Sequence, residues 1–379
     1  MSTEQPAARS GSRAGSDEPV ISLTDVEVHF DTQSYLRKLL SKQDRVVRAV
    51  DNISLDIYEN DVVALVGESG CGKTTLGKTV IGAQRPTDGS VKYRGQDIWE
   101  AKKGKGDIPF EKIRRSLQII HQDPGSSLNP NHTVMSTLSV PLQRWHDDLN
   151  AEDREARILN MLETVGMTPA GDYAKRYPHQ LSGGEQQRVA MVRALLMNPD
   201  VILADEAVSA LDVSLRIEMM DLMLDLQDQF NTSFVFVAHD LSNARYLAEK
   251  AGGRIGVMYL GELVEIGSVR EIADEPKHPY TKTLRWATPS MNPNKNAGDE
   301  PPVRNIDIPD PVNPPSGCRF HTRCPKAREV CTDVTPNLTD AEGGDHLAAC
   351  FRQFDDHAYW NSDPLPGTDP TLDDDRLDA

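Results

Sequence analysis

The sequence predicts an α/β fold in which helices cover a mainly parallel β-sheet. Three uninterrupted apolar runs, residues 62–66, 201–204 and 234–238, each have the length of one strand. Strands of a parallel sheet are buried on both faces, so they read as continuous apolar runs rather than as alternating patterns. A long, mostly helical stretch of about residues 125–198 separates the first two runs. This succession of strands and helices is typical of a sheet whose strands are joined by helical crossovers.

A second, antiparallel β subdomain is predicted near the amino terminus. Polar and apolar residues alternate over 20–23, 26–30 and 53–57, which is the pattern of strands with one buried face. A polar, basic insertion, residues 36–48, interrupts this pattern. Residues 1–19 are rich in Ser, Ala, Gly and Arg and predict a disordered leader.

The composition changes after Trp286, where eight prolines fall between Pro289 and Pro315. We interpret residues 287–316 as an extended linker, because chain this rich in proline does not form helices or inner strands. A small cysteine-containing module is predicted over 317–360, followed by an acidic, disordered tail over 361–379. The main domain is then 20–286, with a helical subdomain over about 125–198.

The net charge of the chain is strongly negative and restricts its partners. Its 41 Lys and Arg residues against 58 Asp and Glu residues give a formal charge of −17. Such a surface repels phosphate backbones and anionic lipids, so no nucleic acid is expected as a partner. No apolar run reaches the roughly 18 residues that span a bilayer, and the leader lacks the apolar centre of a signal peptide. In the cytoplasmic compartment that this predicts, the five cysteines are metal ligands or plain thiols rather than disulfides.

A glycine-rich segment directly after the first apolar run is typical of a phosphate-binding loop. It fits the pattern G-x-x-x-x-G-K-[ST], in which backbone N–H groups surround the phosphates, Lys73 reaches the β and γ phosphates and Thr74 ligates Mg²⁺. A glycine-rich turn without a ligand is the alternative, and the strand before and the helix after disfavour it. We interpret Cys71 as a tolerated small residue rather than a reactive thiol. The residues of the loop are Gly67, Glu68, Ser69, Gly70, Cys71, Gly72, Lys73, Thr74 and Thr75.

Polar residues also follow the other apolar stretches. Asp205, at the end of the second run, is placed to hold Mg²⁺ through water, and the adjacent Glu206 to polarise an attacking water. His239 follows the third run and can hydrogen-bond the γ-phosphate. Gln122 follows the apolar residues 119–120 and can reach Mg²⁺ or the attacking water. Each signal is weak by itself, because an acidic pair at a strand end is usually a helix cap and a lone histidine is usually structural.

The segment 181–187, Leu-Ser-Gly-Gly-Glu-Gln-Gln, precedes a helix with apolar residues at helical spacing. Ser182 and Glu185 form the capping box S-x-x-E, and a pure capping role is the alternative interpretation. Capping does not explain Gly183 and Gly184, since two glycines weaken the first turn of a helix. They are explained if the helix N-terminus comes close to a phosphate on another molecule.

Together, these motifs resemble the ATP-binding subunits of ABC transporters over about residues 20–286, with each motif in the family's order. The resemblance implies a P-loop NTPase (RecA-like) ABC ATPase core and ATP hydrolysis. It makes 67–75 the Walker A loop, 181–187 the signature and 201–206 the Walker B strand. Gln122 becomes the Q-loop residue, Asp212 a D-loop residue and His239 the switch histidine.

In this family ATP is sandwiched between the Walker A loop of one subunit and the signature of another, so a chain with one copy of each must dimerise. Ser182, Gly183, Gly184 and Asp212 are accordingly expected to take part in nucleotide binding. Two departures stand out. Ala207 replaces the usual proline after the catalytic glutamate, and no aromatic residue near Val47 and Arg48 corresponds to the family's adenine-stacking residue, since Tyr35 lies inside the insertion.

Segments 122–130, 177–180, 208–214 and 277–281 resemble the dipeptide/oligopeptide permease branch, in its second ATPase subunit type. The resemblance implies a heterodimer with the other ATPase subunit, two transmembrane permease subunits and an extracytoplasmic substrate-binding protein, at the cytoplasmic face of the membrane. Members of the branch that import nickel or saccharides leave the substrate open. A soluble ABC ATPase acting on DNA or ribosomes is the alternative from a different class.

Four cysteines of the module, Cys318, Cys324, Cys331 and Cys350, have the spacing C-x5-C-x6-C-x18-C. In a segment with few large apolar residues, a metal can replace the missing core. The Cys-Pro pair at 324–325 favours iron–sulfur ligation, whereas structural zinc usually shows tighter spacing and could use His321 or His346. Unligated thiols are the third alternative. Some members of the permease branch bind a [4Fe–4S] cluster with such cysteines, and the resemblance therefore favours that cluster.

Overall fold

The computed structural model describes residues 18–31, 46–146, 148–288 and 302–368. These residues form a seven-stranded sheet with the order β11-β10-β9-β3-β8-β7-β6 and a four-stranded sheet with the order β2-β1-β4-β5. The strands are β1 (Ile21–Asp31), β2 (Val46–Ile57), β3 (Val62–Val66), β4 (Asp88–Tyr93), β5 (Gln96–Asp97), β6 (Leu117–Ile120), β7 (Val201–Asp205), β8 (Ser233–Val237), β9 (Arg254–Tyr259), β10 (Glu262–Ser268) and β11 (Leu347–Ala348).

Helices connect and cover these strands, and none in the part of the chain that the structure describes is long and apolar enough to cross a membrane. Short 3₁₀ turns occupy Pro178–Gln180, Phe351–Gln353 and Ala358–Asn361. The α-helices are α1 (Lys73–Val80), α2 (Ile98–Ala101), α3 (Phe110–Ser116), α4 (Pro124–Ser127), α5 (Val134–Trp145), α6 (Ala151–Thr164), α7 (Ala170–Lys175), α8 (Gly183–Leu195), α9 (Val213–Phe230), α10 (Leu241–Ala251), α11 (Val269–Ala273), α12 (Pro279–Ala287) and α13 (Val330–Asp333).

The larger sheet is parallel over β9-β3-β8-β7-β6, and β10 and β11 add an antiparallel edge. Every residue of β3, β7 and β8 is buried, which confirms that the three apolar runs are strands covered on both faces. The register keeps the carboxyl ends of these strands level, since Val237 pairs with Leu65 on one side and with Asp205 on the other. Residues that follow these strands therefore meet at one edge of the sheet.

The smaller sheet is antiparallel as predicted, but β1 is a single strand where the sequence predicted two. Leu23 and Val26 both pair with β2 across a shift in register, and Asp25 between them has a φ of 47°. This irregularity is a β-bulge, and it returns the strand to the same buried face, because Leu23, Val26 and Val28 are all buried. The alternation in the sequence breaks at the bulge, which explains the incorrect prediction.

The predicted helical stretch contains the five helices α4 to α8. Their inward-facing side chains belong to the core that also includes Ile202 of β7 and Phe236 of β8. The helical region therefore rests on the larger sheet and does not form a separate core. Among its fully buried residues are Leu138, Leu142, Ile158, Leu162 and Val189.

Residues 302–368 carry little regular structure and are attached to the larger sheet through β11 and a buried carboxylate. Glu265 of β10 has no exposed surface and accepts hydrogen bonds from the backbone N–H groups of Lys277 (2.6 Å) and His278 (3.0 Å). The Nε2 atom of His346 lies 2.7 Å from the same carboxylate. A buried carboxylate needs such partners, so this contact fixes the module against the sheet.

The first residues of the predicted acidic tail belong to the folded module. The carbonyl oxygen of Asp363 accepts from the N–H of Glu329 (3.0 Å), and the N–H of Leu365 donates to the carbonyl of Ala327 (3.1 Å). Charge and composition predicted disorder from residue 361, whereas these backbone hydrogen bonds place residues 361–368 against the module. Parts of the other predicted segments lie outside the described residues: 1–17 of the leader, 36–45 of the insertion, 289–301 of the linker and 369–379 of the tail.

Candidate functional site

The carboxyl ends of four neighbouring parallel strands lead into the residues that the sequence singled out. Gly67 directly follows β3, and Glu206 directly follows β7. Gln122 lies two residues after β6, and His239 lies two residues after β8. In open α/β sheets ligands bind at this edge, so the fold brings the predicted residues together where chemistry is expected.

The glycine-rich loop needs glycine at two positions because the backbone of other strands touches it. A Cβ atom at Gly67 would lie 2.2 Å from the carbonyl oxygen of Met258, and one at Gly72 would lie 1.9 Å from that of Ala49. Gly72 also has a φ of 110°, which side chains rarely allow. The loop is thus held between β9 and β2, and its conformation is fixed by its surroundings.

Lys73 is buried at the start of α1, with its ammonium group inside the curve of the loop. Its Nζ atom donates to the carbonyl oxygens of Gly67 (2.7 Å) and Glu68 (3.0 Å). The first turn of α1 points its free N–H groups to the same place. A fixed cation together with a helix N-terminus makes this loop suitable for an anion with several phosphates.

Two side-chain pairs at the ends of β7 and β8 involve the two carboxylates, Asp205 and Glu206, that the sequence predicted for metal binding and water activation. The hydroxyl of Thr74 donates to Oδ1 of the buried Asp205 at 2.7 Å. Nε2 of His239 lies 2.5 Å from Oε2 of Glu206, whose side chain is only 12% exposed. A hydroxyl and a carboxylate in contact are oxygen ligands of the kind that Mg²⁺ takes in phosphate sites. A carboxylate oriented by an imidazole can accept a proton from water.

Gln122 is exposed on the loop after β6. The next residue, Asp123, caps α4 by accepting a hydrogen bond from the N–H of Gly125 (2.9 Å). A contact that the sequence did not predict comes from α8. Gln187 is buried there, and its Nε2 atom donates to the carbonyl of His121 at 3.4 Å. In the sequence, a glutamine among the apolar positions of α8 was the feature that could have indicated this contact.

The N-terminus of α8 carries the predicted capping box, since Glu185 N–H donates to the Ser182 hydroxyl and the Glu185 carboxylate accepts from the Ser182 N–H. A Cβ atom at Gly183 would meet nothing within 4 Å, and one at Gly184 would have its nearest neighbour at 3.8 Å. Packing within this chain therefore does not require either glycine. Among the described residues, the hydrogen bonds of this turn do not reach the loop 67–75.

Asp212 begins α9 and accepts from the N–H of Leu215 at 3.0 Å, so in the single chain it is a helix cap. The side chain of Leu215 is also the nearest neighbour that a Cβ atom at Gly184 would have. The start of α9 and the start of α8 are therefore adjacent. The predicted residues of the signature and Asp212 form a second group, distinct from the residues at the strand ends.

Phe30 is an aromatic residue near the glycine-rich loop that the sequence motifs did not indicate. It lies at the end of β1, is 41% exposed and pairs across the strands with Val47 of β2. Ala49, two residues further along β2, touches Gly72 of the loop. The residues next to Val47 along the chain include no aromatic, whereas the strand pairing places Phe30 opposite Val47 from 17 residues away.

The four cysteines of the module line one small cavity, together with His278, Phe320 and Tyr359 among others. Burial raises the pKa of all four thiols, to about 12 for Cys324 and about 11 for Cys350, and neighbouring cysteines raise the pKa further for Cys318, Cys324 and Cys350. Without a cation these thiols therefore stay neutral. A metal stabilises thiolates and would reverse this preference.

The fifth cysteine, Cys71, belongs to the glycine-rich loop and does not line this cavity. It is buried, and burial raises the pKa of its thiol above the ordinary value, with its Sγ atom 3.8 Å from Nζ of Lys73. A thiol nucleophile must ionise, so this environment agrees with the interpretation of Cys71 as a small, unreactive residue.

One further group of possible metal ligands is present among the described residues. Ligand atoms of Glu27, His29 and Asp51 lie within 4.8 Å of one another. Asp51, however, is bound by the guanidinium groups of Arg48 (3.4 Å) and Arg319. Because these cations already balance its charge, the group is better described as part of an ion-pair network.

Comparison with known proteins places these features in a family. The family model described as "ABC transporter" matches residues 50–209, and the model "Oligopeptide/dipeptide transporter, C-terminal region" matches residues 264–331. The chain is 38% identical to the oligopeptide transport ATP-binding protein AppF of Bacillus subtilis, over 89% of this chain and 98% of that protein. It is 39% identical to the dipeptide transport ATP-binding protein DppF of Escherichia coli, over 88% of this chain and 94% of that protein.

Solved structures show the same fold. The dimeric, ADP- and phosphate-bound structure of the ATP-binding cassette MJ0796 is 29% identical and superposes with a TM-score of 0.54. The alignment covers 66% of this chain and 99% of that one. About a third of this chain therefore lies outside the alignment.

Proposed function

Because this chain belongs to the ATP-binding subunits of ABC transporters, we propose that it hydrolyses ATP to drive the import of dipeptides or oligopeptides through a membrane permease. The observation that carries the proposal is the meeting of the phosphate loop, Asp205, Glu206 and His239 at one edge of the sheet, within a chain whose C-terminal region matches the oligopeptide/dipeptide family. ATPase activity follows from the site, and the substrate class follows from the relatives.

In the proposed mechanism the loop 67–75 binds the β and γ phosphates through its N–H groups, Lys73 and the N-terminus of α1. Glu206 orients and polarises the attacking water, and His239 holds the Glu206 carboxylate in position and hydrogen-bonds the γ-phosphate. Thr74, Asp205 and Gln122 would hold Mg²⁺, which neutralises charge on the phosphates. The donor set fits this ion, because all three side chains offer oxygen atoms.

The signature residues complete the site from a second subunit in this proposal. Gly183 and Gly184 leave the N-terminus of α8 open, and Ser182 and Asp212 lie beside it. A phosphate of the partner's nucleotide can therefore approach the free N–H groups. We propose that the partner is the other ATPase type of a heterodimer, bound to two transmembrane permease subunits at the cytoplasmic face of the membrane and served by an extracytoplasmic binding protein.

Uptake measurements test this function. Cells or proteoliposomes carrying the chain with its permease subunits and binding protein should accumulate labelled dipeptides or oligopeptides when ATP is present, and the Glu206→Gln form should not. Accumulation of nickel or of a saccharide, with no accumulation of peptides, would overturn the substrate class. ATP turnover without any solute uptake would overturn the transport role.

We further propose that Phe30 stacks on adenine. An exposed aromatic ring beside the strand that touches Gly72 is suited to a nucleobase, since such stacking contributes about 1–3 kcal/mol per base. Phe30→Ala is therefore expected to weaken ATP binding by about tenfold or more with little change in kcat, whereas Phe30→Tyr retains affinity. Titration with ATP and with inorganic triphosphate checks this, because triphosphate lacks the base and should bind both forms equally. An equal loss of affinity for ATP and for triphosphate in Phe30→Ala would contradict the proposal.

We also propose that the four module cysteines hold a [4Fe–4S] cluster. Four thiols on one cavity in a region with little apolar core fit a structural metal centre. A [4Fe–4S] cluster takes four cysteine ligands, and Pro325 directly after Cys324 matches the Cys-Pro pair of iron–sulfur ligation. Structural zinc usually has ligand pairs more tightly spaced in the sequence than C-x5-C-x6-C.

Anaerobic purification tests the cluster. The wild-type protein is expected to be brown and to contain about four iron atoms per chain, and Cys318→Ser is expected to lose most of the colour. Cys71→Ser is the matched control, since this cysteine lies outside the cavity and its replacement should leave the iron content unchanged. Colourless wild-type protein with one zinc per chain would overturn the proposal.

A further inference from the structure

The first cysteine loop of the module, between Cys318 and Cys324, contacts the phosphate-binding loop directly. Arg323, which immediately precedes Cys324, has a side chain that is only 7% exposed. Its Nη1 atom donates to both carboxylate oxygens of Glu68, at 2.9 and 3.0 Å. Glu68 is the second residue of the loop 67–75, so two residues 255 positions apart in the chain are joined by a charged contact.

The guanidinium group of Arg323 is held in place by aromatic rings. Its Cζ atom lies 5.8 Å from the ring centre of Tyr259 and 5.7 Å from that of Phe320. Tyr280 completes the cluster, with ring centres 4.6 Å from Tyr259 and 5.3 Å from Phe320. Arginine against aromatic faces loses little freedom when it binds a carboxylate, so the contact is preorganised.

Glu68 is held from the other side as well, and its backbone holds the lysine of the phosphate loop. Its N–H donates to the hydroxyl of the buried Tyr280 at 2.9 Å, and its carbonyl oxygen accepts from Nζ of Lys73 at 3.0 Å. Glu68 therefore contributes its backbone to the anion-binding loop and carries a carboxylate at the same position. An unbalanced negative charge at this position would repel the phosphates of a nucleotide.

A second arginine of the same cysteine loop holds the opposite side of the phosphate loop. Arg319 hydrogen-bonds the carbonyl of Leu260, and its Nε atom lies 3.0 Å from Glu262. Between these residues, the N–H of Gly261 donates to the carbonyl of Cys71 at 2.8 Å. The module therefore contacts the phosphate loop directly through Arg323 and indirectly through Arg319.

We propose that Arg323 is a positioning residue for nucleotide binding: by pairing with Glu68 it fixes the phosphate loop and neutralises the carboxylate beside the incoming phosphates. Because Arg323 lies next to Cys324, the cysteine module becomes a determinant of ATP affinity as well as an extension of the fold. The proposal rests on the proposed ATPase function. It assigns no chemical step to Arg323, which acts through Glu68.

The charge pair is tested by measuring the Kd for ATP and the KM and kcat for hydrolysis in matched variants. Arg323→Gln is expected to raise the Kd and KM on the order of tenfold, with kcat changed less than about twofold. Arg323→Lys should recover part of the affinity, because a lysine keeps the charge but not the forked geometry.

Adding Glu68→Gln to Arg323→Gln should restore the affinity for ATP, because the unpaired carboxylate is then gone. Arg328→Gln is the control, as Arg328 lies in the same module but binds the carbonyls of Trp360 and Ser362.

The double variant separates positioning from a structural role. If Arg323→Gln merely unfolded the module, removing the Glu68 carboxylate would not restore ATP binding, and that result would overturn the proposal. Glu68→Asp changes the same contact from the side of the phosphate loop and leaves the sequence of the module unchanged. It keeps the charge but shortens the reach, so the Kd should rise, and wild-type affinity in this variant would also overturn the proposal. These affinities are measured on the isolated chain, so a failure of peptide uptake would refute the transport function and not this pairing.

Discussion

Glu206→Gln is expected to reduce ATP hydrolysis by at least about 10²–10⁴-fold, the contribution of a positioned general base, while ATP binding stays at the wild-type level. The amide has nearly the shape of the carboxylate and can still accept a hydrogen bond from Nε2 of His239, which lies 2.5 Å away. What is lost is the negative charge that polarises the attacking water. Steady-state phosphate release and nucleotide binding, measured on the same preparation, separate the two effects.

The control for this variant is Glu249→Gln, because Glu249 is exposed on α10 and pairs only with Arg245 at 3.6 Å among the described residues. It changes the net charge by the same amount and should leave hydrolysis unaffected. Wild-type turnover by Glu206→Gln would show that another group activates the water. His239 would then be the group to examine, as it is the direct neighbour of Glu206.

Gly183→Asp is expected to lower hydrolysis on the order of 100-fold while leaving the folded chain as stable as the wild type. A Cβ atom at Gly183 meets nothing within 4 Å, so the new side chain fits within this chain. An acidic residue in the first turn of α8 is favourable for the helix, by about 0.3–1 kcal/mol. The same charge should repel the phosphates of the partner's nucleotide, so catalysis falls although stability does not.

Gly171→Asp is the matched control for this prediction. Gly171 lies in the first turn of α7, and a Cβ atom there also meets nothing within 4 Å. Thermal unfolding of the three proteins should agree within a few degrees, ATP binding by the isolated chains should be equal, and only Gly183→Asp should lose turnover in the assembled complex. Full turnover in that variant would mean that the N-terminus of α8 does not face a nucleotide.

Much of the site was predictable from sequence because each motif is contiguous and follows a buried strand. The phosphate loop, Asp205, Glu206, His239 and Gln122 all stand directly after an apolar run or within two residues of its end. Parallel strands place their carboxyl ends at one edge, so sequence position alone determines that these residues meet. The capping box of α8 was equally local, since Ser182 and Glu185 are three residues apart.

The missed residues share a different property, which is that their partners are far away in the chain. Phe30 lies on the strand next to the one that touches the phosphate loop, and only its pairing with Val47 shows this. Gln187 contacts the carbonyl of His121 only because α8 packs beside the loop after β6. The bulge at Asp25 likewise breaks the alternating pattern by a backbone conformation that the pattern cannot encode.

The sequence by itself therefore determined the α/β class, the phosphate loop and the residues proposed for catalysis, because local patterns of burial and hydrogen-bonding groups specify them. Only the tertiary structure decided how the C-terminal module relates to that site. Composition separates residues 317–360 from the main domain, yet Arg323 of the module binds Glu68 of the loop at 2.9 Å. The physical reason is that a pairing between residues 255 positions apart depends on how β9, α12 and the module pack together, and no local pattern in the sequence records that packing.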